Sequence, residues 1–218
     1  MTKTYQIAID GFSGVGKSTI ATLISKKLNF LFINTGAMYR CYALAFIKDN
    51  VNLDNSNEII KCLNSNKVEL DNEKFYLNGE DVTAKISDPN VAAKASKIAT
   101  YKEVREKCVA DQQKIAVGQN CVMEGRDTTS VVLPNATLKV FLKADPNIRA
   151  VRRWEQINKT QSLEQIKEFI EKRDYQDSHR EISPLIQVPD AFVVDTSNLT
   201  IDEVVDAILK EFNNRTHV

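Results

Sequence analysis

The sequence predicts an α/β fold: a parallel β-sheet covered by helices on both faces, with a small β-rich insert and a short lid. Three observations carry this expectation. Apolar runs of strand length alternate with longer stretches whose apolar residues fall at helical spacing. A glycine-rich loop joins the first predicted strand to the first predicted helix. One internal region breaks the alternation and reads as a hairpin.

Taken in order, residues 5–10 (YQIAID) form a short buried strand that Gly11 breaks. Over 17–28, Ile20, Leu23, Ile24 and Leu28 lie on one helical face. A second strand at 30–33 ends at Asn34-Thr35-Gly36, and 37–48 is helical. Further strands are predicted at 121–123, 138–142 and 191–195, and helices at 102–117, 147–158, 163–177 and 201–212. Thr200 followed by Glu203 is a capping box for the last of these. Residues 68–70 and 74–77, separated by Asp71-Asn72-Glu73 and followed by Asn78-Gly79, are the hairpin strands. The chain reads as a single domain over 1–218. Its core is about 1–36 and 86–218, the insert region about 37–85 with its β-rich part about 63–85, and the lid about 154–162. Arg215-Thr216-His217-Val218 is expected to fray.

Composition excludes several function classes. The 218 residues suffice for one α/β domain with a core, and 43% hydrophobic with 27% charged residues is ordinary for a globular chain. Lys plus Arg (29) balances Asp plus Glu (29), so no global charge points to nucleic acid or a membrane surface. No apolar run approaches the roughly 18–20 residues of a bilayer span, and residues 1–10 lack a secretory pattern. The four cysteines (Cys41, Cys62, Cys108, Cys121) form no C-x-x-C pair, which suits reduced thiols in the cytoplasm. With only His179 and His217, a His-rich metal site or a Ser-His-Asp triad is not expected.

Gly11-Phe12-Ser13-Gly14-Val15-Gly16-Lys17-Ser18, continued by Thr19, satisfies G-x-x-x-x-G-K-[ST] between a strand and a helix. Glycines let the backbone wrap with its N–H groups inward, and the helix N-terminus adds partial positive charge. Lys17 can place an ammonium between the β- and γ-phosphates of ATP, and Ser18 can ligate Mg²⁺. The pattern is therefore a P-loop of the NTPase type, with Gly11 to Thr19 as the ATP-binding segment. It names a phosphate donor without naming a reaction. A GTPase would offer N-K-x-D, whereas Asn158-Lys159-Thr160-Gln161 has Gln at the carboxylate position. A small-molecule kinase instead needs arginines around two sets of phosphates, and the sequence offers arginines in several separated places.

Glu124-Gly125-Arg126-Asp127 follows a buried strand, where open α/β sheets bind ligands. Glu124 can reach Mg²⁺ through water, Arg126 can fork onto a phosphate, and Asp127 can read a base edge. Taken with Thr35-Gly36-Ala37-Met38-Tyr39-Arg40, Asn78-Gly79-Glu80-Asp81-Val82-Thr83 and Ile182-Ser183-Pro184-Leu185, this segment resembles the bacterial cytidylate kinases. The resemblance runs from Ile7 to about Leu209.

It implies a nucleoside-monophosphate kinase core that transfers phosphate from ATP to CMP and dCMP. Thr35, Arg40, Ser96, Arg105, Arg126, Asp127, Asp177 and Arg180 would line the acceptor site. Arg40 and Arg126 would lie near the acceptor phosphate, Ser96, Arg105 and Asp127 would face the base, and Asp177 the ribose. Lys17, Arg126, Arg153 and Arg173 would act on the transferred group, and the lid beyond Arg149, Arg152 and Arg153 would exclude water. On a helix those three arginines can point towards one ligand. A monomer with no nucleic-acid or membrane partner is expected.

Two positions depart from the family pattern. Asn34 stands where an aspartate is common, and no catalytic role is assigned to it. Thr129 stands where glycine is common; a left-handed turn would strain a β-branched residue, so the loop there is expected to differ. Neither departure is expected to touch the P-loop or the arginines. Two alternatives remain: another P-loop small-molecule kinase of the uridylate or shikimate type, and a non-catalytic nucleotide-binding switch. The Lys17-Ser18 pair and the separate arginine groups speak against the switch.

Overall fold

The computed structural model describes residues 4–71 and 73–216. In chain order its elements are β1 (Gln6–Gly11), α1 (Lys17–Leu28), β2 (Leu31–Asn34), α2 (Thr35–Lys48), α3 (Ser56–Ser65), β3 (Val68–Asp71), β4 (Lys74–Leu77) and β5 (Glu80–Asp81). A 3₁₀ turn (Lys85–Ser87), α4 (Pro89–Ile98), α5 (Lys102–Ala116), β6 (Cys121–Gly125) and a π-helical turn (Thr128–Val132) follow. The chain continues with β7 (Leu138–Lys143), α6 (Pro146–Gln156), α7 (Leu163–His179), β8 (Phe192–Asp195) and α8 (Ile201–Thr216).

Five strands form a parallel sheet in the order β2-β6-β1-β7-β8, flanked by helices as expected. β1 is central, and the chain crosses to opposite sides of it, which creates the switch point where such sheets bind ligands. The register aligns Asp10 with Gly125 and Gly11 with Leu142, so β1, β6 and β7 end level. The glycine-rich loop and the Glu124-Gly125-Arg126-Asp127 segment leave the sheet at that shared edge.

The chain divides into two compact units. One comprises residues 1–32 and 118–218, and the other Ile33–Val117. In the first, Ile7, Ile9, Val122, Leu138, Val140 and Leu142 of the sheet pack with Ile20 and Ile24 of α1 and with Val204, Val205 and Ile208 of α8. Each such side chain contributes about 1.5–3 kcal/mol on burial. The capping box at α8 forms: Glu203 N–H donates to Thr200 Oγ1 at 3.3 Å, and Thr200 N–H donates back to Glu203 at 2.8 Å. The expected frayed end behaves differently from its reading. Arg215 and Thr216 complete α8, and the buried Thr216 hydroxyl donates to the Phe212 carbonyl at 2.9 Å. His217 and Val218 lie outside the described residues, as does Asn72 of the hairpin loop.

In the second unit α2 is the central helix. Met38, Cys41, Tyr42, Ala45 and Phe46 are all buried, and α2 packs on α4, α5 and β4. The Tyr42 hydroxyl donates to Asp111 at 2.5 Å. The predicted hairpin is present, extended by β5 into a three-stranded antiparallel sheet. The sequence reading passed over α3 and α4. Their start signals are nevertheless there: Asn55 caps Asn57 and Glu58, and Asp88-Pro89 pairs a capping carboxylate with proline in the first turn.

Candidate active site

The loop between β1 and α1 is built to receive an anion. Gly16 occupies the N-cap position of α1 in a left-handed conformation, with no side chain satisfying the first-turn amides. Those N–H groups are therefore left for a ligand. Glycine is required at Gly11 because a Cβ there would sit 2.3 Å from the Leu142 carbonyl oxygen. At Gly14 (φ +78°) a side chain would strain the backbone and press on the Arg149 carbonyl at 3.0 Å.

Lys17 is only 6% exposed, and its ammonium donates to the carbonyls of Gly11 (2.8 Å) and Phe12 (2.7 Å). Burial, followed by repulsion from Arg126 and Arg173, brings the Lys17 pKa down to about 7, against the attraction of Glu124 and Asp10. Positive charge concentrated around the loop in this way favours a polyanionic ligand. Beside Lys17 the Ser18 hydroxyl donates to Glu124 Oε1 at 2.7 Å. An alcohol and a carboxylate this close are an oxygen set suited to Mg²⁺.

Four of the predicted acceptor residues lie in the same unit and form an alternating chain of charge. Arg126 Nε donates to Asp177 Oδ2 at 2.8 Å. Arg180 lies 3.7 Å from Asp177 and 3.8 Å from Asp127. Burial raises the Asp177 carboxyl, but Arg126, Arg173 and Arg180 outweigh it and hold the pKa below the ordinary range. Burial likewise opposes the Arg126 charge, yet Asp177 and Glu124 keep its pKa above the ordinary guanidinium value. The Ile182-Ser183-Pro184-Leu185 segment braces this chain: Arg180 Nε donates to the Ser183 carbonyl (2.7 Å), and Leu185 N–H donates to the Asp177 carbonyl (2.8 Å).

The other four predicted acceptor residues belong to the second unit. Thr35 opens α2 and is buried, and Arg40 lies further along the same helix. Asn34 caps α2 by accepting from Ala37 N–H at 2.8 Å, a structural task that an amide oxygen performs as well as a carboxylate. Ser96 is on α4. Arg105, on α5, is 2% exposed, donates to the Ala99 carbonyl at 3.0 Å, and lies 5.5 Å from the Tyr39 ring.

The three arginines of α6 do not converge. Arg149 donates to the Ser13 carbonyl (3.0 Å) and the Ala144 carbonyl (3.1 Å), and pairs with Asp174. Asp174 in turn accepts from Ser13 N–H at 3.0 Å. One ion pair thus grips both sides of the loop at Ser13, a role the sequence reading missed. Arg152 donates to the hydroxyl and carbonyl of Thr196 at 3.0 and 2.7 Å. Arg153 reaches Gln156 at 2.7 Å. Between α6 and α7, Trp154 Nε1 donates to the Gln161 carbonyl (2.8 Å), and Lys159 lies 4.7 Å from its ring.

With this geometry in place, comparison with known proteins decides the family. The family model described as cytidylate kinase matches residues 7–214. The chain belongs to the cytidylate kinase family. A relative from Ligilactobacillus salivarius, a cytidylate kinase, is 43% identical over the whole of both chains. Two solved structures of lower identity share the fold. An uncharacterized protein from Eubacterium ventriosum superposes with a TM-score of 0.58 at 14% identity, covering 97% of this chain and 99% of the other. A shikimate kinase from Bacteroides thetaiotaomicron gives 0.50 at 12% identity, covering 98% and 99%.

Against the family pattern, Thr129 also has a physical account. It is not among the described residues with positive φ, so the left-handed turn that would strain it does not form. The Thr129 hydroxyl and amide both donate to Asp10, the residue directly before Gly11, at 2.7 Å. Asp10 itself was overlooked, although a carboxylate closing the apolar run Ile7-Ala8-Ile9 was a visible signal.

Proposed function

We infer that this family member transfers the γ-phosphoryl group of ATP to CMP, and to dCMP, releasing ADP and the corresponding diphosphate. The observation that carries the reading is the glycine-rich loop with its buried Lys17 ammonium turned onto the Gly11 and Phe12 carbonyls, followed directly by the Ser18–Glu124 pair. Phosphoryl transfer asks little covalent chemistry of a protein. It asks that two polyanions be aligned and their repulsion offset.

On this reading the amides of residues 11–19 cradle the donor phosphates, and Lys17 exchanges its carbonyl partners for phosphate oxygens. Arg126, Arg153 and Arg173 neutralise charge on the transferred group. Mg²⁺, when bound, neutralises phosphate oxygens as charge develops, and Ser18 with Glu124 (through water) would hold it. For the acceptor, Arg40 and Arg126 address the phosphate, Ser96, Arg105 and Asp127 the base, and Asp177 the ribose, with Thr35 and Arg180 completing the set. The acceptor is already ionised, so no general base is needed. Residues 37–85 serve the monophosphate, and 154–162 act as a lid that excludes water.

No helix among the described residues is long and apolar enough to cross a membrane. A monomer in the cytoplasm, acting without nucleic-acid partners, completes the proposal, and light scattering on the purified protein tests the monomer. The activity is tested by coupled ADP release with ATP and a panel of CMP, dCMP, UMP and shikimate. Fast turnover with CMP and dCMP is the expected result. ADP release independent of any acceptor would overturn the kinase reading.

A further inference from the structure

Asp127 occupies the N-cap position of the π-helical turn Thr128–Val132. An aspartate there ordinarily folds its carboxylate back onto the first amides of its own helix. Here its side chain makes no such bond. Its backbone carbonyl still starts the turn, accepting from Val131 N–H (2.8 Å) and Val132 N–H (3.2 Å).

The first amides are satisfied by a residue far away in sequence. Thr128 N–H donates to Asp10 Oδ1 at 3.0 Å, and Thr129 N–H donates to Asp10 Oδ2 at 2.7 Å. The Thr129 hydroxyl adds a second bond to Asp10 Oδ2, also at 2.7 Å. Asp10 is fully buried at the end of β1, and Thr129 is 1% exposed. A buried carboxylate without donors would be costly, and these three donors are what allow it to stand there. Relieved of capping, the Asp127 carboxylate lies instead 3.8 Å from Arg180.

We propose that Asp10 and Thr129 are positioning residues for acceptor selection. Asp10 caps the turn in place of Asp127, and the Thr129 hydroxyl locks that arrangement, so that the Asp127 carboxylate is presented to the base. A residue without a hydroxyl here could supply the amide but not the lock. The proposal rests on the reading of the protein as a CMP kinase.

Thr129→Val keeps the shape of the buried side chain and removes only the hydroxyl, whereas Thr129→Ser keeps the hydroxyl. Steady-state kinetics with CMP and UMP are measured for the wild type and both variants. Loss of one hydrogen bond to a buried carboxylate is expected to raise the CMP KM of Thr129→Val about tenfold. The kcat/KM preference for CMP over UMP should fall by a similar factor, with kcat and the ATP KM within about twofold of wild type. Thr129→Ser should keep the wild-type preference. An unchanged CMP preference in Thr129→Val overturns the proposal, as does a loss confined to the ATP KM or a Thr129→Ser variant as impaired as Thr129→Val. Wild-type protein that does not turn over CMP would instead overturn the kinase reading, a result distinct from all of these.

Discussion

The Ser18 hydroxyl donates to Glu124 Oε1 at 2.7 Å, joining the first turn of α1 to the carboxyl end of β6. Two oxygens that the sequence separates by the whole of the second unit thus stand side by side, next to the buried Lys17 ammonium. If they hold Mg²⁺ during the reaction, Glu124→Gln removes the anionic partner while keeping the shape. The Mg²⁺ concentration for half-maximal rate should rise about 10–100-fold. A Mg²⁺ titration of kcat checks this; an unchanged midpoint removes Glu124 from the metal site.

On the proposed reading, the Asp127 carboxylate would accept from the cytosine amino group and repel the uracil carbonyl. Asp127→Ala should therefore lose roughly 1–3 kcal/mol of discrimination between CMP and UMP. The ratio of the two kcat/KM values is the measurement, and a ratio equal to wild type assigns base selection elsewhere.

Asp177 links protonation to stability. Its folded-state pKa lies below the ordinary 3.8, because Arg126, Arg173 and Arg180 outweigh the effect of burial. A depressed carboxyl contributes stability that is fully present above 3.8 and is lost as pH falls through the folded value. Asp177→Asn leaves buried guanidinium groups under-paired and should cost about 3–5 kcal/mol near neutrality. Urea unfolding of both proteins from pH 7 downwards should show the gap narrowing once pH drops below 3.8. A gap that stays constant into acid would mean that the pairing does not stabilise the fold.

The Arg149–Asp174 pair holds the glycine-rich loop at the Ser13 peptide from both sides. Arg149→Ala and Asp174→Ala should each raise the ATP KM about tenfold, and the double variant should be little worse than either single one. Arg149→Lys should not rescue, because an ammonium cannot reproduce the fork that meets Ser13, Ala144 and Asp174 together. Strictly additive effects in the double-mutant cycle would refute a shared role.

The contrast between Gly11–Lys17 and Arg149 shows where sequence reading succeeds and where it stops. The glycine-rich loop was legible because its chemistry is contiguous: strand, glycines, lysine and helix start follow one another in the chain. The same holds for β1, α1, the β3–β4 hairpin and the Thr200–Glu203 cap, which rest on apolar spacing and on neighbours a few residues apart.

What no local pattern contained was the direction of each charged side chain. Arg149, Arg152 and Arg153 share one helix, yet packing turns the first onto the loop at Ser13 and the second onto Thr196, while the third reaches Gln156. Asp10 and Asp127 differ in the same way. Both are aspartates at strand ends in the sequence. Only the register of β1 against β6 decides that Asp10 takes the amides of Thr128 and Thr129. The sequence by itself determined the fold class and the place of the glycine-rich loop, and it proposed the acceptor residues. Tertiary structure alone decided which carboxylates and guanidiniums brace the scaffold, because a buried charge takes whatever partner the folded chain brings within hydrogen-bond reach.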